Sequence, residues 1–215
     1  MKVIVIICEG KTEVEFCKLL NTYLGYNEYR IEAINLGGNC NWIRVKSFIE
    51  KSLKSNRSAL VTTMIDYYGR KEKTFPKQAE VVRINDKREK ITLLENAMAD
   101  EIDYSLRNRF VPYLQLHEFE AMLFNNIEVF RRNFEENTEY DKQEIEKILE
   151  DFPDPEMINE GKATSPSHRL KRIIPIYNKI VYGNLLVESI GLDNIYTKNR
   201  HFKEWIDKII RFKPS

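Results

Sequence analysis

The sequence predicts an α/β protein with a mainly parallel sheet flanked by helices and a mostly helical C-terminal half. Three observations support this prediction. The first half alternates β-branched apolar segments with segments of helical periodicity. Its strand segments are almost continuously apolar, as expected for parallel strands buried on both faces. After about residue 125 the alternation stops and charged helical segments follow.

The first strand and helix are the clearest elements. Residues 3–7 are an unbroken apolar run that ends at Cys8 and Glu9, so Glu9 lies at the carboxyl end of a central strand. Thr12 and Glu15 have the spacing of a capping box, and apolar positions then recur at helical spacing until Gly25.

The remaining elements of the first half follow the same rules. Acidic residues end two more strands, at Asp66 and at Glu118 and Glu120. The predicted elements are strands at 29–36, 58–65 and 111–116, helices at 43–53 and 87–100, and a short apolar helix at 121–124.

We therefore predict an α/β core over residues 1–125 and a helical extension over 126–215 that packs on it. Gly37-Gly38 lacks the third glycine of a dinucleotide fingerprint and predicts a turn. Further on, a serine and proline at 165–166 are typical of a helix start.

Composition restricts the possible partners. The 215 residues contain 34 basic and 33 acidic side chains, a net charge of +1, so a nucleic-acid site has to be a local basic patch. Cys8, Cys17 and Cys40 lack paired metal spacing, which predicts reduced packing residues in a cytoplasmic protein. The opening apolar run is too short for a membrane span, so no membrane partner is expected.

The acids at the strand ends are the candidate functional residues. Right-handed crossovers place the ends of parallel strands at one sheet edge, which would bring Glu9, Asp66 and Glu118 or Glu120 together. Clustered carboxylates repel one another unless a cation compensates, and Mg²⁺ or Mn²⁺ suits oxygen ligands. Such a site supports phosphodiester chemistry. Alternatively, each acid is a helix cap or a solvated residue.

Basic and aromatic residues near these acids are candidates for substrate binding. His117 adjoins the acid pair, and it could order a substrate or simply pack. A second group surrounds the predicted helix start at 165–166, a favourable place for an anion: Ser167, His168, Arg169, Lys171 and Arg172. Arg70, Lys71, Lys73 and Lys77 form another basic strip, and Tyr67 and Tyr68 could stack on a base or pack the loop.

Several motifs together resemble a bacterial family of unknown function, DUF4276, with a Toprim-like core related to the overcoming-lysogenization-defect (OLD) nucleases. The resemblance covers nearly the whole chain. The motifs are Cys8-Glu9-Gly10-Lys11-Thr12-Glu13, Met64-Ile65-Asp66-Tyr67-Tyr68-Gly69, His117-Glu118-Phe119-Glu120-Ala121-Met122-Leu123-Phe124, Pro166-Ser167-His168-Arg169-Leu170 and His201-Phe202-Lys203-Glu204-Trp205.

The resemblance implies specific roles for the acids. Glu9 would bind metal or act as a general acid-base group, and Glu13, Asp66 and Glu118 or Glu120 would complete the metal shell. Toprim domains usually carry Asp-x-Asp, whereas Tyr68 stands at the third position here. Either the acids at 118 and 120 compensate, or one metal is bound, or catalysis has been lost.

The expected function is a Mg²⁺- or Mn²⁺-dependent nuclease in which Lys11 or Arg169 neutralises the phosphate. One alternative, favoured by Tyr68 and the near-neutral charge, is a weakened module that binds nucleic acid or a partner protein. The partner would be a separately encoded ATPase, because Gly10-Lys11-Thr12 lacks the upstream glycine of a P-loop. Another is a hydrolase of nucleotides or small phosphoesters. The resemblance to OLD-type proteins also suggests a role in phage defence.

Overall fold

The computed structural model describes residues 1–67, 74–134, 140–158, 161 and 163–213. Within these residues five strands form a parallel sheet of order β2-β1-β3-β4, in which β5 also pairs with β3. The strands are β1 (Lys2–Cys8), β2 (Tyr29–Asn35), β3 (Leu60–Asp66), β4 (Phe110–Val111) and β5 (Leu114–Gln115). The predicted fold class is confirmed.

Helices flank the sheet and dominate the C-terminal half. Two short 3₁₀ helices, Phe119–Leu123 and Pro155–Met157, accompany them. The α-helices are α1 (Lys11–Leu24), α2 (Trp42–Ser55), α3 (Gln78–Val81), α4 (Lys87–Asp100), α5 (Tyr104–Arg107), α6 (Ile127–Phe134), α7 (Lys142–Asp151), α8 (Pro166–Ile173), α9 (Lys179–Ile190), α10 (Leu192–Lys198) and α11 (Arg200–Arg211). None of the described helices combines the length and apolar content that a membrane span needs.

The short apolar helix predicted at 121–124 is the 3₁₀ helix Phe119–Leu123. Two other predicted details differ from the structure for a clear physical reason. The strand expected at 111–116 is divided into β4 and β5, because Pro112 cannot donate a backbone hydrogen bond to a sheet partner. The capping box of α1 begins at Gly10 instead of Thr12, since the Glu13 carboxylate accepts the Gly10 N–H. Glycine is acceptable at the N-cap, and Glu13 then occupies the third helical position.

The contacts group the chain into two compact units. Unit 1 comprises Met1–Leu116 and Trp205–Ser215, and unit 2 comprises His117–Glu204. The division into domains at 1–125 and 126–215 stays a prediction.

The core of unit 1 contains polar side chains that are paired inside the sheet. All of β3 is buried, yet it carries Thr62 and Thr63. Thr63 Oγ1 accepts the N–H of Tyr113 at 2.9 Å and lies 2.8 Å from its carbonyl oxygen, to which it donates. Thr62 Oγ1 accepts the indole N–H of Trp205 at 2.8 Å, and this indole stacks on the Tyr113 ring with centroids 4.4 Å apart. The C-terminal helix is thereby fixed to the central strand.

Unit 2 has a buried carboxylate at the start of α11. Glu156 is fully buried and accepts the N–H groups of His201 and Phe202 at 2.7 and 2.9 Å. Burial raises the pKa of Glu156 in spite of these bonds. The carboxylate satisfies amide groups that the first turn of a helix leaves without intrahelical partners.

We expect Trp205→Ala to lower the free energy of unfolding by about 3–5 kcal/mol, because it leaves a cavity beside Tyr113 and removes the partner of Thr62. Trp205→Phe should cost less, since an aromatic ring remains to pack on Tyr113. Urea denaturation measures both changes. Ile210→Ala, at an exposed position of the same helix, is the control. A loss for Trp205→Ala no larger than that of this control would contradict the proposed role of the indole.

Candidate functional site

Glu9 and Asp66 come together at the carboxyl edge of the sheet. The parallel register of β1 and β3 aligns Cys8 with Met64, and the Glu9 N–H continues the ladder by donating to the Met64 carbonyl at 3.1 Å. The Asp66 N–H in turn donates to Glu9 Oε2 at 3.2 Å. The carboxyl ends of parallel strands are the usual ligand-binding edge of an open α/β sheet.

The Gly37-Gly38 turn, which follows β2 on the other side of β1, also contacts the backbone of Glu9. Gly38 N–H donates to the Glu9 carbonyl at 2.8 Å. Gly37 and Gly38 have φ values of +64° and +83°, which glycine adopts without strain. The turn predicted from the glycine pair therefore fixes the backbone of a candidate site residue.

Glu13 is bound to the turn that precedes α1. Its side chain is 3 % exposed, and its Oε2 accepts the Gly10 N–H at 2.8 Å. A Cβ at Gly10 would lie 3.2 Å from that oxygen, so a side chain there would crowd the carboxylate. This contact gives Glu13 a structural role in shaping the turn after Glu9.

The remaining candidates of unit 1 lie on either side of this edge. Lys11 is exposed at the first position of α1. The backbone N–H of Tyr67 donates to the Gln115 carbonyl at 2.9 Å, and its side chain is half-buried. Lys77 is exposed with a φ of +59°. The other candidates of this loop lie outside the described residues: Tyr68, Arg70, Lys71 and Lys73.

In unit 2, Glu118 interacts with the start of α8. Its Oε2 accepts the Ser167 N–H at 2.8 Å, and its Oε1 accepts the Ser167 hydroxyl at 3.1 Å. A carboxylate is favoured at this end of a helix because the first amide groups lack intrahelical partners and carry partial positive charge. The sequence predicted an anion-binding helix start here, and Glu118 itself supplies a negative charge to it.

Glu120 has a lysine partner. It is 3 % exposed, and its Oε2 lies 3.2 Å from Lys179 Nζ at the start of α9. Lys179 also lies over the Phe119 ring, 5.7 Å from the centroid. Burial raises the pKa of Glu120 and outweighs the attraction of the lysine. The neighbouring Tyr177 hydroxyl is buried, and burial together with the Glu120 charge raises its pKa.

The other candidates of unit 2 are positioned around α8. His168 Nδ1 lies 2.8 Å from the hydroxyl of Ser165, the N-cap residue. Arg169 Nε donates to the Thr164 carbonyl at 2.7 Å, and its guanidinium lies over the Phe152 ring. Burial lowers the pKa of Arg169. Lys171 is exposed, whereas His117 is buried.

The structure thus contains two acidic groups with different surroundings. In unit 1, Glu9 and Asp66 adjoin each other at the sheet edge; in unit 2, Glu118 and Glu120 have an amide group and an ammonium group as partners. Among the described residues, no set of three or more His, Cys, Asp or Glu side chains could hold a metal ion. That all the predicted acids form one metal site stays a prediction.

Sequence reasoning missed Lys179 and Tyr177. Lys179 follows the N-cap Asn178 of an apolar helix, and its pairing with Glu120 spans 59 positions. No local pattern indicates such a contact. The Asn178 cap was the available signal, since it marks the start of the helix on which Lys179 is carried.

The raised pKa of Glu120 predicts a pH-dependent stability. A carboxyl whose folded pKa lies above its unfolded value stabilises the fold fully below the unfolded pKa, near 4.5, and this contribution is lost as pH rises through the folded pKa. Relative to Glu120→Gln, the wild type should therefore lose stability as the pH rises above 4.5. Denaturation of both proteins across pH 4–8 measures the difference.

Glu128→Gln is the matched control for this experiment, because Glu128 is an exposed glutamate of the same unit. If the stability difference between wild type and Glu120→Gln stays constant with pH, or varies as it does for Glu128→Gln, burial does not control the ionisation of Glu120.

Comparison with known proteins identifies a family. A family model described as "Domain of unknown function (DUF4276)" matches residues 8–210. No curated protein and no solved structure matches the chain. The matched segment begins at Cys8, the last residue of β1, and includes the acids of both units. The chain belongs to the DUF4276 family.

Proposed function

We propose that this protein is a Mg²⁺- or Mn²⁺-dependent phosphodiesterase of Toprim type that acts on nucleic acid, related to the OLD nucleases. The observation that carries the proposal is the contact between Glu9 and the backbone of Asp66 at the carboxyl ends of β1 and β3. Two carboxylates at the ligand-binding edge of a parallel sheet are as many as a magnesium site commonly takes from the protein.

Glu9 and Asp66 are the residues that would hold the cation. Their carboxylates fit Mg²⁺, which commonly takes one or two from the protein and completes its shell with water and substrate phosphate. When bound, the ion would supply charge stabilisation to the phosphoryl group and a more acidic water. Glu13 supports this arrangement from the turn, because its carboxylate fixes Gly10 beside Glu9.

Positive side chains would bind the phosphate as negative charge develops on it. Lys11 is the candidate in unit 1, since it is exposed two residues after Glu9. In unit 2, the candidates for binding nucleic acid are Arg169, Lys171, His117, Ser167 and His168. Tyr67 is proposed to stack on a base. A separately encoded ATPase partner and a role in phage defence complete the proposal.

A weakened binding module is the second candidate function. The contacts of Glu118 and Glu120 favour it, because an amide group and Lys179 already compensate these two charges. Acids with protein partners need no metal ion to relieve their repulsion. In this alternative, the protein binds nucleic acid or the ATPase without cleaving phosphodiesters.

We expect Glu9→Gln and Asp66→Asn each to lower Mn²⁺-dependent cleavage of single-stranded DNA or RNA by about 100-fold or more, because each removes a charge that would hold the cation. The substitutions nearly preserve side-chain volume, so the melting temperature should change little. Initial cleavage rates on end-labelled oligonucleotides measure the effect, and calorimetric titration with Mn²⁺ measures binding of the cation.

Glu15→Gln is the matched control, since Glu15 is an exposed glutamate of α1 that pairs with Lys18. Unchanged cleavage in the Glu9 and Asp66 variants would show that these acids have no catalytic role. A wild type that shows no Mn²⁺ binding dependent on Glu9 and cleaves neither DNA nor RNA would support the binding module.

A further inference from the structure

Two buried thiols are in contact between the central strand and the first helix of unit 1. Cys8 is the last residue of β1, and Cys17 lies in the second turn of α1. Their Sγ atoms are 3.6 Å apart, and both residues are free cysteines. A disulfide bond places its two sulfurs about 2.05 Å apart, so these atoms need to approach by about 1.5 Å. The fold therefore holds the two thiols close to bonding distance.

The register of the sheet explains this contact. Ile6 of β1 pairs with Ala33 of β2, and residues two positions apart in a strand share a face, so Cys8 lies on the same face as Ala33. This is the face toward α1, because Ala33 and Cys17 line one cavity between the helix and the strand. Both thiols are thus positioned by regular elements of the sheet and its first helix.

The cavity gives small molecules a path to one of the two thiols. Its volume is about 570 Å³, and its walls include Val14, Cys17 and Asn21 from α1 and Ile31 and Ala33 from β2. Cys17 is 2 % exposed, whereas Cys8 is fully buried and does not line the cavity. Reaction of a cysteine depends on access to its sulfur. A small oxidant that enters the cavity therefore contacts Cys17 first.

From this arrangement we propose that Cys17 and Cys8 are a site of reversible oxidation by hydrogen peroxide. The Cys17 sulfur attacks one peroxide oxygen, the O–O bond breaks, and a sulfenic acid forms with release of one water molecule. The Cys8 sulfur then displaces the hydroxyl group from Cys17, which forms the disulfide and releases a second water molecule. The two thiols lose two electrons and two protons, and these reduce the peroxide to water.

The disulfide joins β1 to α1 across the turn that carries Glu9 and Gly10. It closes a short loop, and such a cross-link restricts the unfolded chain more than the folded one. The oxidised protein should therefore melt at a higher temperature than the reduced protein. This proposal does not depend on the proposed cleavage activity, because neither thiol has a part in it.

Treatment of the folded full chain with hydrogen peroxide, followed by alkylation in urea and digestion with trypsin, tests the proposal. Cleavage after lysine and arginine places the three cysteines in separate peptides, residues 3–11, 12–18 and 31–44. We expect mass spectrometry to show the first two peptides joined by a bond that dithiothreitol cleaves, and the third with its thiol intact. The melting temperature should rise on oxidation and return to its first value on reduction.

Substitutions separate the roles of the two thiols and of the cavity. Cys8→Ser should leave Cys17 as a sulfenic acid that dimedone traps, whereas Cys17→Ser should leave Cys8 unmodified. Cys40→Ser is the matched control and should form the same disulfide as the wild type. Ala33→Leu narrows the cavity and should slow the oxidation about tenfold, because it restricts access to the sulfur. Ala79→Leu, at an exposed position of α3, should not change the rate.

Three unmodified thiols in the folded protein, at a peroxide concentration that oxidises the chain in urea, would overturn the proposal. A disulfide that includes Cys40 would also overturn it, and so would an oxidation rate that Ala33→Leu leaves unaltered. Nucleic-acid cleavage, whether present or lost in the Glu9 variant, bears on none of these results.

Discussion

The register between β1 and β3 is the constraint on which the candidate site depends. Pairing of Cys8 with Met64 brings the two strand ends level, so the backbone of Glu9 bonds to Met64 and the backbone of Asp66 bonds to the Glu9 carboxylate. In a sheet, a shift of one residue reverses which face each side chain occupies. Both strands are almost wholly buried, and their register places the Glu9 carboxylate beside the backbone of Asp66.

Identical residue types have different electrostatic roles in this chain. Glu9 adjoins a second acid at the sheet edge, whereas Glu118 accepts hydrogen bonds from Ser167 and Glu120 pairs with Lys179. The ammonium group of Lys179 offsets the charge of Glu120, whereas Glu9 and Asp66 end neighbouring strands at the edge where an α/β sheet binds ligands. For this reason the proposed cation site rests on unit 1 alone.

Several motifs that carry the family resemblance have structural contacts as well as candidate chemistry. His201 and Phe202 donate backbone N–H groups to the buried Glu156, and Trp205 bonds to Thr62 of the central strand. A residue in a family motif is therefore not evidence of catalysis by itself. Glu9 and Asp66 differ from these residues because their side chains lie at the edge where an α/β sheet binds ligands.

Local apolar patterns and the rules for parallel sheets were enough to predict the fold class, the bounds of α4, and the positions of Glu9 and Asp66 at strand ends. The sequence also indicated the Gly37-Gly38 turn. The partners of the acids could not be predicted and follow from the folded chain: Lys179 for Glu120, Ser167 for Glu118 and Gly10 for Glu13. The first two of these contacts join residues about 50 to 60 positions apart, and the third depends on where α1 begins. Local periodicity does not indicate which distant side chain lies beside a given carboxylate. The identity of that neighbour determines whether the protein itself offsets the negative charge.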